Sequence, residues 1–215
     1  MVKSAFSLLE VVFAIVIMGI TMVTLPVMMS SNDKGIDTTL IQEAIFGASA
    51  ELNQILSYRW DENSIDKLVD PNEDGLAEVI QTSYNDCDTN TSSPTYGLRP
   101  GHIMQKKHRK CLLNFALTPT PAGSFGPESG DLDDIDDVNT SVKSLFINYT
   151  ASLNGYKQDF KSNVNISYDT MGGLVGTNDA KKVTVIVTDA AGNTVTKLTS
   201  YTLNIGEVDI DNRIF

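Results

Sequence analysis

The chain has little of what most chemistry needs. Of its 215 residues only two are histidine, His102 and His108, and neither has the spacing of a metal site or of a nucleophile triad. No phosphate-cradling loop and no dinucleotide fingerprint occurs, because Gly172, Gly173 and Gly176 are not followed by a helical pattern. These gaps leave enzyme readings without parts, and the expectation is a non-enzyme. Basic residues are outnumbered, 16 against 27 acidic, and the net charge of −11 argues against wholesale nucleic-acid binding. Lys106 to Lys110 is the densest basic run, but it lacks interleaved aromatics. Its expected role is to neutralise acidic surface. The two cysteines, Cys87 and Cys111, both follow the N-terminal apolar stretch, and an even pair in an exported domain reads as one disulfide.

Charge is scarcest near the N-terminus. From Ser7 to Met29 only Glu10 is charged. As a helix, Phe6 to Met29 would rise about 36 Å, enough for a hydrocarbon core of about 30 Å. An ionised carboxylate within such a segment costs about 2.5–3.5 kcal/mol or more at mid-membrane. Something must therefore meet Glu10. Before the apolar run stand Met1 to Ala5, with Lys3 as the basic residue. The small residue Ala5 precedes the apolar region, where a secretory signal would carry its cleavage site after it. Cutting between Ala5 and Phe6 would keep the apolar helix and create an amine at Phe6, one helical turn from Glu10. The amine of a neighbouring copy could then offset the buried charge.

Ala5, Phe6 and Glu10, followed by an apolar helix with Gly19 and Pro26, resemble the N-terminal segment of type IV pilins and type II secretion pseudopilins. Ala5 departs from the commoner Gly. The resemblance covers roughly the first 30 residues and implies a pilin-like α+β fold. That fold has a long N-terminal helix, apolar in its first half and amphipathic in its second, packed on a C-terminal antiparallel β-sheet. The implied organisation is a leader over 1–5, a transmembrane or filament-core helix over 6–30, an amphipathic continuation over 31–60 and a β-rich head over 61–215. It also implies cleavage by a prepilin peptidase, methylation of the Phe6 amine, and Glu10 as the residue that sets register during assembly. The partners implied are other pilin subunits, that peptidase and an inner-membrane assembly platform. The expected location is the bacterial inner membrane before assembly and a periplasmic or extracellular filament after it. A minor pilin or pseudopilin is the expected role, with a filament-tip binding module as the alternative.

Beyond the apolar stretch, Ile36, Leu40, Ile41, Ala44, Ile45, Ala48, Leu52, Ile55 and Leu56 recur at helical spacing. Pro26 and the Asn32 to Gly35 segment are expected to kink or loosen this helix. Residues 58–127 are rich in turn signals, with Cys111 to Leu117 a candidate strand. Strands are expected over Ser144 to Leu153 and Asn163 to Asp169. Lys181 to Asp189 and Thr194 to Asn204 read as a hairpin turning at Gly192-Asn193.

Two acidic stretches are candidate calcium loops. Asp70, Asn72 and Asp74 place oxygens at alternate positions, Gly75 permits the turn and Glu78 takes the ninth position. Gln81 stands where an EF-hand needs a bidentate Glu, so the loop is incomplete. Asp131, Asp133, Asp134, Asp136 and Asp137 form the second stretch, and such crowding calls for a cation or a basic partner.

Overall fold

A computed structural model describes residues 7–70, 75–82, 87–99, 109–127, 132–139, 142–146 and 159–207. The chain divides into two compact units, Met1–Glu43 and Ala44–Phe215. One helix, α1, runs Leu8–Ile55 without interruption. The expected weakening around Asn32 to Gly35 does not break it, and Pro26 lies inside it. A proline removes one backbone hydrogen bond, and a single glycine costs about 1 kcal/mol. Neither is enough to interrupt a helix of 48 residues. The hydroxyls of this segment bond back to the helix: Thr21 Oγ1 donates to the Ile17 carbonyl at 3.1 Å, and Thr38 Oγ1 to that of Lys34 at 2.8 Å. By length and composition α1 could cross a membrane.

Within the second unit, Ala44, Ala48 and Ile55 are buried, while Ile45 stays exposed. The buried stripe is narrower than the apolar periodicity suggests. α1 ends at Ile55 and a turn carries the chain to Tyr58, short of the expected boundary at 60. Gly47 faces Leu145 and Phe146 so closely that a Cβ there would lie 2.9 Å from Leu145 Cδ2. Glu51 accepts from Lys143 Nζ at 2.8 Å and from Ser162 Oγ at 3.3 Å, tying the helix to the sheet.

The sheet is an antiparallel meander in the order β1-β2-β3-β4. Its strands are Lys143–Ser144 (β1), Lys161–Tyr168 (β2), Ala180–Thr188 (β3) and Thr194–Leu203 (β4). The architecture is therefore α+β: a long N-terminal helix, apolar in its first half, whose last turns from Ala44 to Ile55 pack on a four-stranded antiparallel sheet. β3 is central and carries the core through Val183, Val185 and Val187, which are fully buried. Val164 and Ile166 of β2 pack beside them at period two. The expected hairpin is present. Gly192 takes φ 87° in its turn, and Asp189 Oδ1 accepts from the Ala191 and Asn193 amides at 2.9 and 2.8 Å. The first expected strand is reduced to Lys143–Ser144, and residues 147–153 of it lie outside the described residues.

Cys111 forms only an isolated bridge with Val79, and Leu112 to Leu117 is not strand. Cys87 and Cys111 are disulfide-bonded with Cα atoms 6.3 Å apart. Their sequence separation of 24 makes the closure worth about 3–4 kcal/mol in the chain-entropy model. The buried Asn204 ends β4 by copying a strand's pairing: Oδ1 accepts from the Ile80 amide at 3.0 Å and Nδ2 donates to the Ile80 carbonyl at 2.6 Å. Side chain thus replaces backbone where the ladder runs out.

Candidate functional site

Three places in the chain combine unusual burial, exposure or charge. The first is the N-terminal part of α1. Every residue from Ser7 to Thr39 is exposed, large apolar side chains such as Phe13 and Met22 included. Glu10 lies in the first turn of this helix. Ala5 and Phe6 lie outside the described residues.

The second is a buried charge cluster that sequence reasoning missed in part. Lys181 sits at the start of β3 with its whole side chain sealed from solvent. Its ammonium donates to the Trp60 carbonyl at 2.6 Å and to Asp61 Oδ2 at 3.0 Å, and it touches Asp136 Oδ1 directly. Three aromatic rings wall it in, with centroids at 4.5 Å (Trp60), 5.4 Å (Phe125) and 6.0 Å (Tyr168). Such faces attract a desolvated cation.

Each acid of the cluster is held by local structure. Asp61 caps the short 3-10 turn Glu62–Ser64 through the Asn63 amide, and it also accepts from the Thr120 amide at 2.9 Å and the Thr120 hydroxyl at 3.3 Å. Asp134 accepts from the amides of Glu62 at 2.6 Å, Asp136 at 2.9 Å and Asp137 at 3.2 Å. Asp137 Oδ2 accepts from the Asp133 and Asp134 amides. Asp133 pairs with Arg59 at 3.6 Å. Burial pushes the Asp134 carboxyl up to about 8, with the Asp136 charge adding to the effect and Lys181 opposing it. Asp136 is also raised, by burial first, although Lys181 pulls it down. Burial raises the Tyr168 hydroxyl too, and that hydroxyl donates to the Thr120 carbonyl at 2.6 Å.

The second acidic stretch therefore has its cation in the chain itself. Asp134 and Asp137 direct oxygens to backbone amides, and Asp136 turns to an ammonium. That cation is Lys181. Asp131 lies outside the described residues. One signal for Lys181 was present in the sequence. It shares strand parity with Val183, Val185 and Val187, and a lysine on a core-facing row demands carboxylates.

The third place is a cleft of about 380 Å³ that brings together Asp66, Asp70, Glu78, Lys110 and Glu207 over an apolar floor including Leu112. Asp70 Oδ2 accepts the Gly75 amide at 2.6 Å, Asp66 Oδ2 accepts from Asn114 Nδ2 at 2.9 Å, and Glu207 Oε2 accepts the Ala77 amide at 3.2 Å. Glu78 is raised by burial, against the pull of Lys110. Of the first calcium candidates, Asp70 and Glu78 both line this cleft, while Asn72 and Asp74 lie outside the described residues. Among the described residues no three acidic, histidine or cysteine side chains are grouped so as to hold a metal ion. His102, His108 and most of the basic run also lie outside them. No family model, curated protein or solved structure matches the chain.

Proposed function

We propose that this chain is a prepilin-like structural subunit, a minor pilin or pseudopilin of a type IV pilus or type II secretion filament. The single observation that carries the reading is the helix surface from Ser7 to Thr39, exposed all round and apolar apart from Glu10 for most of its length. A soluble monomer does not keep so large an apolar surface in water. A bilayer covers it before assembly. Helices of other copies cover it afterwards, at about 25 cal/mol per Å² removed from water. Glu10 distinguishes this segment from a plain anchor, because a carboxylate in an apolar layer needs a counter-charge. The amine freed at Phe6 of a neighbouring subunit supplies it. The head unit then decorates the filament, held by its disulfide and its buried charge cluster, and the reading assigns it no catalytic turnover.

The test is Glu10→Val. The variant is expected to insert in the membrane in normal amounts and to be lost from sheared filament fractions. Normal incorporation would overturn the reading.

A further inference from the structure

Lys181 and Asp136 meet in surroundings that favour a covalent bond over an ion pair. Both are shut away from water, and the nitrogen touches the carboxyl directly. Keeping an ammonium and a carboxylate desolvated is costly even when they are paired. Condensing them removes both charges at once. The walls of Trp60, Phe125 and Tyr168 keep out the water that would reverse the reaction.

The neighbouring acids have separate tasks. Asp61 Oδ1 is pinned by the Asn63 amide and the Thr120 hydroxyl, while Oδ2, which also accepts the Thr120 amide, holds the amine in place and accepts its proton. Asp134 stands on the other side, hydrogen-bonded to Asp136 and fixed by three backbone amides. Burial keeps its carboxyl protonated at neutral pH, so it can supply a proton to Asp136. A base, an acid, an amine and a carboxyl carbon are thus gathered in one sealed site, the arrangement that acyl transfer requires.

We propose that Lys181 Nζ and Asp136 Cγ condense spontaneously into an intramolecular amide, an isopeptide cross-link between β3 and the short turn Asp136–Val138. Lys181 passes one ammonium proton to Asp61, and Asp134 protonates the Asp136 carboxylate. The freed lone pair of Nζ attacks Cγ. The C–O bond of the hydroxyl breaks, with the proton held by Asp61 leaving on that oxygen as water. The second amine proton returns to Asp134. Ammonium plus carboxylate gives amide plus one water, with no oxidant, reductant or cofactor. The inference is independent of the filament reading, since it concerns the head unit alone. Its consequence is mechanical. The bond ties the central strand to residue 136, and the 44 residues between the cross-linked positions can no longer be pulled apart from their ends.

The experiment is peptide mapping of the purified native full-length chain after disulfide reduction and protease digestion in denaturant. The expected product is a branched peptide joining the segments around Lys181 and Asp136, about 18 Da lighter than the two together, with Lys181 refractory to amine-reactive labelling. Linear peptides carrying a labelled, free Lys181 would overturn the proposal, and this result needs no variant that has to fold. Asp134→Asn keeps an acceptor for the backbone amides but cannot donate an acid proton. It is expected to slow cross-linking about 100-fold or more in freshly synthesised chain. An unchanged rate in folded Asp134→Asn protein would overturn the assigned proton route.

Discussion

Lys181→Met is the most informative single perturbation of the head. Methionine fills much of the lysine stem's volume and makes favourable contacts with the Trp60, Phe125 and Tyr168 rings. Packing is therefore roughly conserved, and the loss isolates the charge. The substitution leaves Asp61 and Asp136 facing each other in a sealed site without their cation. Removing one partner of a buried pair costs about 3–5 kcal/mol, because the remaining charge stays desolvated. For a domain of this size each kcal/mol shifts Tm by about 2–4 °C, so a fall of about 6–20 °C is expected. The loss of a cross-link would enlarge that fall. The assay is thermal unfolding of the full chain in detergent, followed by near-ultraviolet circular dichroism of Trp60. Adding Asp61→Asn and Asp136→Asn to Lys181→Met should recover at least half of the loss, since neutral amides need no ammonium. A Lys181→Met protein within about 1 kcal/mol of the parent would refute the claim that these acids depend on Lys181.

Two further outcomes follow from the same geometry. The folded Asp134 carboxyl is raised to about 8 from an ordinary value of 3.8, so the folded state holds a proton that the unfolded chain has lost. Its contribution to stability therefore falls as pH climbs from about 4 to about 8, so the Asp134→Asn profile should be flatter: on top of a pH-independent loss from its slower cross-linking, the difference from the parent should move by about 1–3 kcal/mol in the variant's favour between pH 5 and pH 9 in denaturant titrations; parallel pH profiles would contradict this. Gly47→Ala should destabilise the head by about 1–2 kcal/mol despite alanine's better helix propensity, because the new methyl meets Leu145 and Phe146. An equal or higher Tm would show that these side chains yield freely.

Much of the scaffold was legible because local rules decide it. The β3–β4 hairpin follows from period-two strands and a Gly-Asn turn. α1 follows from unbroken apolar sequence, and the disulfide from cysteine count. The interior of the head was not legible to the same degree. Asp61 and Asp136 come together with Lys181 over sequence separations of 120 and 45, which no local pattern reports. Leu112 to Leu117 looks like a strand by composition, yet among the described residues no strand pairs with it. The second acidic stretch was visible as an electrostatic problem. Its solution was hidden in strand parity, where Lys181 falls on the same face as the buried valines. Ile45 carries helical periodicity and still faces outward, since periodicity marks an apolar face without stating how wide its partner is.

N-terminal sequencing of the chain recovered from its native membrane or filament tests the central claim most directly. The account predicts a first residue of Phe6, carrying an added methyl of about 14 Da on its amine. A native chain that still starts at Met1 would leave Glu10 without the amine that is proposed to meet it, and would contradict the filament reading.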